Sequence, residues 1–483
     1  MARGRTRLKN SLSTALLLLT IAPIVFGFSA TARNTLEYRA AQADKGNNFF
    51  EDRFDLRLNI SKITLGARFE AMHPSDSTAL TRPDTTYTDI TQYWADLKHD
   101  VISITVGSFT STLGAGLLLD ARELRDVKQD HHLDGANVNF SHRFCNATIL
   151  SGIAGWDNDT RFRGGELQVN APYIPAGCGY IRYDVPKASL ETGPGLTGET
   201  WEIRALPVYG PFSAEVHYAK TWRSDADFGT NLNGETVYAT ASLFIGPVTV
   251  FGEFLSADSF LVKGATQESY VTLPLIVRQP SYTLMSRHLS EPNPRDVIAY
   301  NAEAAITPLD NLDLTIALAN LDHPEKAMDY IEIFGSVYQE LGDLTVRGIY
   351  EYQKTGEQEP VHNAVLEPLY YFSNRTSLLF DIEFQAGEEY DEKYSNFYGL
   401  SELSISPYGA IGIEGGRLME WDRESESLEP EYSIRLYIDG EIAENHKITL
   451  AFGKRPGGFT CSSGTCRFEP AFEGFELKLS SSF

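Results

Sequence analysis

Long apolar runs are almost absent from this chain of 483 residues. The one extended apolar stretch runs from Leu16 to Phe28, and nothing after it approaches the ~18–20 apolar residues that a membrane-spanning helix needs. We therefore expect no membrane helices in the remainder. Strands that alternate apolar and polar residues dilute the hydropathy signal in this way, so a membrane-spanning barrel is still compatible with the sequence.

Enzyme motifs are lacking as well. There is no H-E-x-x-H metal motif, phosphate-binding loop, C-x-x-C pair or nucleophile elbow, and the G-x-G-x-x-G match at 193–198 contains a proline that marks a turn. Asp130, His131, His132 and Asp134 cluster in sequence, but no helix orients them as metal ligands or as an acid–base pair. We predict no catalytic residue, metal or cofactor.

The N-terminus indicates export. Four basic residues precede the apolar stretch, which ends near Ala30 and Ala32, and this order is typical of a cleaved secretory signal. We predict a signal peptide over 1–32, with an uncleaved signal anchor as the alternative, and a mature chain over 33–483. Removing four basic residues and no acidic one lowers the net charge from −24 to −28. Such a charge argues against nucleic acid as a partner.

Only four cysteines occur, and an exported chain meets an oxidising compartment. Cys461 and Cys466 flank a short, turn-rich segment, so we predict that they form a disulfide. For Cys145 and Cys178 the sequence leaves two alternatives, a second disulfide or free buried thiols.

Apolar and polar residues alternate with period two through much of the mature chain. In 53–70, for example, Phe54, Leu56 and Leu58 alternate with charged residues, and the same pattern returns after a two-residue turn. An amphipathic helix would instead space its apolar residues three and four apart. The pattern therefore predicts β-hairpins with one apolar face.

The connections between these strands alternate strictly between short and long, as they do in outer-membrane barrels with short periplasmic turns and longer external loops. Counting strands between them, with a first strand at 34–40, gives about 24. We predict an all-β, transmembrane, antiparallel up-and-down β-barrel of about 24 strands, within a range of 20–24. A soluble β-sandwich or solenoid is the competing architecture.

The final strand ends in an aromatic residue. Phe475, Leu477, Leu479 and Phe483 share one of its faces, which resembles the assembly signal of bacterial outer-membrane barrels. The expected partners are therefore outer-membrane lipid and the barrel assembly machinery, together with a possible unknown surface or periplasmic partner.

The other face of the strands would line the lumen. It carries both signs of charge with acids in excess, which predicts either cross-strand ion pairing or a field that selects solutes. The lumen-lining candidates are Asp55, Arg57, Arg68, Glu70, Asp96, Glu303, Asp313, Glu332, Arg347, Glu351, Asp381, Glu383, Arg435 and Lys478.

Two long loops are too apolar to be fully exposed to solvent. They contain TLGAGLLLDARELRD at 112–126 and YVTLPLIV at 270–277, the latter inside the longest loop, 257–296. A barrel of this size leaves an aqueous channel unless something fills it, so we expect these loops to fold inward. Packing on the barrel rim or against a partner is the alternative.

Three stretches resemble an uncharacterised family of outer-membrane β-barrels, a domain of unknown function, from Bacteroidota and related bacteria. They are VGSFTSTLGAGLLL at 106–119, HHLDGANV at 131–138 and the C-terminal stretch 455–483. The chain departs from the family at Ala115, where the family tends to have arginine. The resemblance implies an outer-membrane barrel and no established substrate.

These observations predict a porin-like channel for passive or gated passage of solutes, with a mixed-charge, acidic lumen. The first alternative is a structural or interaction barrel whose external loops bind a partner. An outer-membrane hydrolase is the third.

Overall fold

A computed structural model gives the fold of this protein. It describes residues 28–42, 48–73, 86–154, 160–185, 196–225, 231–260, 262, 269–274, 276–278, 281–287, 296–324, 329–389, 392–422, 427–462 and 465–483. Residues 1–27, which make up most of the predicted signal peptide, lie outside this set. The last part of that predicted segment, 28–32, belongs to the first strand.

Twenty-four antiparallel strands form one closed barrel, which confirms the predicted fold class. The first twelve are β1 Phe28–Ala41, β2 Phe49–Ile60, β3 Ile63–Met72, β4 Tyr87–His99, β5 Ile102–Phe109, β6 Leu133–His142, β7 Cys145–Ala154, β8 Arg161–Val169, β9 Ala176–Val185, β10 Leu196–Ala205, β11 Phe212–Asp225 and β12 Asn231–Ile245. The other twelve are β13 Val248–Asp258, β14 Asp296–Leu309, β15 Leu312–Asp322, β16 Tyr330–Leu341, β17 Leu344–Thr355, β18 Val361–Ser373, β19 Thr376–Glu389, β20 Glu392–Ile405, β21 Gly409–Asp422, β22 Ser427–Ala443, β23 His446–Arg455 and β24 Phe472–Ser482.

The barrel closes where β1 pairs with β24. Their register runs from Arg33 opposite Ser482 to Ala41 opposite Gly474. Beyond it, the Ala32 N–H donates to the Phe483 carbonyl at 3.0 Å, and the Phe483 N–H donates back to Ala32 at 2.8 Å. We call this junction of β1, β2 and β24 the seam.

The two faces of the wall differ in polarity as the alternation predicts. Outward side chains such as Ile316, Ile434 and Phe452 are 62–68% exposed, whereas the inward Glu351 and Glu383 are 1–2% exposed. Exposed apolar side chains along one face of the wall are typical of a surface that contacts lipid or another protein. No helix in the described residues is long and apolar enough to cross a membrane.

Short turns gather at one end of the barrel and long connections at the other. Two connections at the long-connection end are shorter than the polar sequences 386–395 and 420–430 suggest. β19 runs to Glu389 before β20 begins at Glu392, and β21 runs to Asp422 before β22 begins at Ser427. Two strands pair through backbone hydrogen bonds and need no apolar face, so a hairpin can extend through polar residues. The polar composition of these segments therefore did not show that they are strands.

The structure excludes a disulfide between Cys145 and Cys178, which are both free thiols. Cys145 in β7 pairs with Val169, and Cys178 in β9 pairs with Leu167, so β8 lies between them. Two strand spacings amount to ~10 Å, beyond the ~7 Å that a disulfide can span. The alternative of buried thiols is also wrong, because Cys178 is exposed and Cys145 is half-buried.

Cys461 and Cys466 are register partners in a small hairpin made of Gly458–Ser462 and Thr465–Glu469. Directly opposed strand residues have Cα atoms ~4.5–5.5 Å apart, within the range of a disulfide. We therefore expect mass spectrometry of non-reduced peptides to recover a Cys461–Cys466 cross-link. Two alkylatable thiols at these positions, in protein taken directly from cells, would contradict this prediction.

Candidate functional site

Three long connections turn into the barrel instead of away from it. We call them loop A (110–132), loop B (259–295) and loop C (456–471), and their described residues together the plug. Leu117, Leu118 and Leu119 of loop A are fully buried in one apolar cluster with Tyr270 and Ile276 of loop B. The same cluster includes inward residues of the wall, among them Leu133, Phe162, Ile181, Leu255, Val297 and Leu321. Both apolar loop segments therefore pack inside the barrel, and not on its rim.

Loops A and B are joined by backbone hydrogen bonds. The Asp120 N–H donates to the Tyr270 carbonyl at 2.7 Å, and the Thr272 N–H donates to the Gly116 carbonyl at 3.2 Å. The chain reaches this contact through Gly114, Ala115 and Gly116, whose φ angles of 59°, 54° and 93° are all left-handed. A Cβ at position 116 would stand 3.3 Å from the Thr272 carbonyl oxygen, so the φ angle and the contact both favour glycine there.

Ion pairs hold loop A to the seam side of the wall. Arg68 of β3 contacts Asp55 of β2 at 2.7 Å and Glu123 of loop A at 2.9 Å. Lys128 of loop A contacts Glu37 of β1 at 2.8 Å and Glu51 of β2 at 3.2 Å. These side chains are largely shielded from water, where ion pairs are screened less than at the surface. Loop A is thus held to three consecutive strands.

The His–Asp cluster found in the sequence belongs to the same attachment. The His132 Nδ1 lies 2.9 Å from Asp130, and Gln92 of β4 donates to Asp130 at 3.1 Å. No group of three or more His, Cys, Asp or Glu in the described part of the chain is arranged to hold a metal. These contacts give the cluster a part in placing loop A against the wall.

The pKa values of the two acids in this cluster, Glu123 and Asp130, shift in opposite directions, although burial acts on both in the same sense. Burial, aided by the Asp130 carboxylate, raises the pKa of Glu123 to about 7. Burial also raises the pKa of Asp130, but the hydrogen bond and charge of His132 outweigh burial and keep that pKa below its usual range. Burial alone would lower the pKa of His132, and the contact with Asp130 outweighs it and raises that pKa.

Loop B is attached to another part of the wall. Glu383 of β19 accepts hydrogen bonds from the backbone N–H groups of Thr283 and Leu284, at 3.0 and 2.6 Å. Gln385 donates to the Leu284 carbonyl at 2.9 Å. Loop C contacts loop B, because Arg287 of loop B donates a hydrogen bond to the Gly457 carbonyl of loop C at 3.3 Å.

Among the described residues, two cavities lie beside the plug. The larger, which we call the seam chamber, has a volume of about 880 Å³ and lies between the inner faces of β1, β2 and β24 and the underside of loop A, towards the short-turn end. The smaller, of about 500 Å³, lies between loop B and the wall formed by β15 to β17. Cavities of this size accommodate small solutes.

The structure divides the predicted lumen residues among these places. Asp55, Arg57, Arg68 and Lys478 line the seam chamber. Asp313, Arg347 and Glu351 line the smaller cavity. The remaining candidates are contacted or buried elsewhere on the inner wall: Glu70 receives the Tyr87 hydroxyl, Asp96 receives the Thr105 hydroxyl, Glu303 pairs with Arg278, Arg435 pairs with Glu414 and Glu476, and Glu332, Asp381 and Glu383 are buried.

The sequence did not identify the loop residues that form ion pairs with the wall. Glu123 and Lys128 were not among the candidates, although they pair with wall residues 55 and 91 positions away in the chain. Glu37 and Arg33 were also missed, but their signal was present, because both continue the inward set of a strand whose existence was predicted.

Several solved structures resemble this chain over most of its length. The siderophore receptor PirA from Pseudomonas aeruginosa shows 7% identity over 94% of this chain and 80% of that one, with a TM-score of 0.48. The P pilus usher PapC translocation pore shows 8% identity, coverage of 94% and 99%, and a TM-score of 0.42. A BenF-like porin from Pseudomonas fluorescens Pf-5 shows 8% identity, coverage of 71% and 98%, and a TM-score of 0.39. These likenesses concern the barrel fold alone.

A search of curated proteins gives no match. A family model, in contrast, matches residues 31–301 and 346–483, which make up well over half of the sequence. The chain therefore belongs to the family of unknown function DUF6029.

Proposed function

We propose that this protein is an outer-membrane, porin-like channel through which small solutes pass when the plug rearranges. The observation that carries the proposal is a closed 24-strand barrel whose polar inner wall is covered by its own loops, with about 880 Å³ of cavity left at the seam. Barrels of more than about 16 strands leave a water-filled lumen or a plugged one. A lumen that is plugged by the barrel's own loops is a path that opens when those loops move.

The outer membrane is the proposed location. The outward apolar face, the separation of short turns from long loops and the aromatic C-terminal residue all favour it. The proposed partners are outer-membrane lipid and the barrel assembly machinery, and a partner at the surface or in the periplasm is compatible with the long hairpins. We propose a transport role and no enzymatic one.

The charges of the wall support a preference for cations that depends on whether the plug is closed or open. Four of the acids on one side of the lumen, Glu332, Glu351, Asp381 and Glu383, are buried, and loop B covers part of this wall. Their field would act on a passing ion only once loop B has moved. We therefore propose that the cation preference suggested by the acidic lumen belongs to the open state.

Conductance tests the proposed function. We expect the purified protein to conduct ions weakly in a planar bilayer. A variant in which a short glycine–serine linker replaces residues 111–130 should conduct severalfold more, because loop A contributes much of the apolar plug. Cation preference in the reversal potential under a salt gradient should appear only when loop B is displaced as well, because loop B covers part of the acidic wall.

The control for that experiment is heat-modifiable migration, which establishes that each variant has assembled as a barrel. A correctly assembled loop variant that conducts no better than a protein-free bilayer would contradict passage. That result would favour the interaction barrel. Lipid or peptide hydrolysis by the purified protein would instead support the third alternative, the hydrolase.

A further inference from the structure

We propose that the seam chamber is a binding site for small solutes that carry oxyanion groups, either carboxylate or phosphate. This inference rests on the proposed function, in which solutes enter the lumen, and adds the class of solute that the lumen retains. The chamber has about 880 Å³ and opens towards the end of the barrel where the short turns lie. That end is the periplasmic one if the long connections are external.

The charge of the chamber is opposite in sign to that of the protein. Eight lysine and arginine side chains line it against five aspartate and glutamate side chains, in a chain whose net charge is −24. The carboxylate of Phe483 reduces this excess without removing it. A concave surface with one sign of charge and low-dielectric walls concentrates counter-ions, so this cavity attracts anions.

Most of the acids in the chamber already have cationic partners. Glu37 lies 2.8 Å from Lys128 and 3.1 Å from Lys478. Asp55 and Glu123 share the guanidinium of Arg68. These three acids therefore contribute to the attachment of loop A, and their charges are matched by cations other than Arg33 and Arg57.

Arg33 and Arg57 are the cations left over. Within the described residues neither has an ion pair, and both are exposed to the chamber. Arg33 stands opposite Asp55 and Arg57 opposite Thr31, so the two arginines are diagonal neighbours across β1 and β2. Diagonal neighbours are ~7–8 Å apart at their backbones, which lets two long side chains reach one oxyanion between them. An anion there also relieves the repulsion of two like charges.

Hydroxyl groups complete the site. Thr31, Thr35, Ser480 and Ser482 line the same chamber and supply donors beside the two guanidinium groups. Guanidinium forks match the geometry of carboxylate and phosphate, and such charge-assisted hydrogen bonds are stronger than neutral ones. Arginines and hydroxyls together are suited to oxyanions, and the two acids of the lining for which the described residues show no ion pair, Asp126 and the Phe483 carboxylate, reduce the positive charge of the chamber without reversing its sign.

A natural fluorophore reports on this site. The guanidinium carbon of Arg57 lies 5.7 Å from the centre of the Trp94 ring, which covers Gly66 on the inner wall. An anion that draws Arg57 away from the ring changes the environment of Trp94. Binding can therefore be followed by tryptophan emission and by calorimetry on the same detergent-solubilised full-length protein.

The test titrates inorganic phosphate and citrate into the wild type and into the double variant Arg33→Gln/Arg57→Gln. We expect both anions to bind the wild type, with a change in Trp94 emission that disappears in Trp94→Phe, and the dissociation constants to rise at least tenfold in the double variant. Arg143→Gln is the matched control, because Arg143 lies in a short turn at the same end and outside the chamber. A second variant, Arg33→Lys/Arg57→Lys, keeps the charge and should recover part of the affinity.

Several results would overturn the proposal: no binding of either anion by the wild type, equal binding by the double variant, or an equal loss in Arg143→Gln. If the protein conducts but binds no anion, the passage function stands and the oxyanion site is wrong. If it binds anions at Arg33 and Arg57 but never conducts, the site stands and passage is wrong. Heat-modifiable migration excludes misfolding as the cause of lost binding.

Discussion

Replacing Glu383 with leucine is expected to release loop B and to raise the conductance of the barrel at least about tenfold. The Glu383 carboxyl accepts the backbone N–H groups of Thr283 and Leu284, and the residue is 1% exposed. Leucine leaves both donors without an acceptor. A buried donor left unsatisfied costs ~1–3 kcal/mol, so the loss is roughly 2–6 kcal/mol for the pair. Since every ~1.4 kcal/mol shifts an equilibrium tenfold, the open fraction should rise by that factor or more.

The measurement is single-channel conductance in planar bilayers. Glu383→Gln is the graded comparison, because it keeps the volume and one acceptor oxygen, and it should lie between the wild type and the leucine variant. Glu441→Leu is the distant control, since it breaks an exposed contact with Lys447 at the short-turn end and such pairs contribute little. Unchanged conductance in an assembled Glu383→Leu barrel would show that loop B does not control passage.

The second large effect is expected in assembly. Placing aspartate at both Leu477 and Leu479 should leave little membrane-embedded protein. The two leucines follow one face of β24, and Leu477 stands opposite the exposed Tyr38 of β1. Lysine or arginine on the lipid face costs ~2–4 kcal/mol at midplane and acidic residues somewhat less, so we expect roughly 2–4 kcal/mol from the double change. The substitutions also damage the face on which the predicted assembly signal lies.

The yield of heat-modifiable protein in outer-membrane fractions measures this effect. Ser480→Asp is the matched control, because it places the same charge one residue away on the same strand but facing the seam chamber. It should assemble normally. Normal yields from Leu477→Asp/Leu479→Asp would be incompatible with a lipid-facing β24. Deletion of Phe483 should lower the yield too, since its backbone closes the ring with Ala32.

The barrel could be predicted from the sequence because its signal is local. Period-two alternation, as in Leu378, Phe380 and Ile382, identifies a strand and its outward face without reference to the rest of the chain. The strict alternation of short and long connections then gave the pairing order and the count. Up-and-down topology makes sequence neighbours spatial neighbours, so local information was sufficient.

The plug could be predicted only in outline. Apolar composition indicated that 112–126 and 270–277 fold inward, but composition does not say which wall residue meets which loop residue. The pair Thr283 and Glu383 is separated by 100 positions, and Lys128 and Glu37 by 91. Cys145 and Cys178 illustrate the same limit, because an even number of cysteines carries no information about the strand that lies between them.

The origin of the plug restricts how the barrel can open. Loop A joins β5 to β6, loop B joins β13 to β14 and loop C joins β23 to β24, so the three are attached at points spaced very roughly a third of the circumference apart. Because each loop is covalently attached to the rim of the barrel at both of its ends, the plug can shift or move aside within the lumen. It cannot leave the barrel on either side of the membrane as a separate plug domain could. In the proposed channel, solutes would therefore pass beside the plug, and the width of the gap that a displaced loop leaves at its side of the barrel would set the size of the largest molecule that crosses.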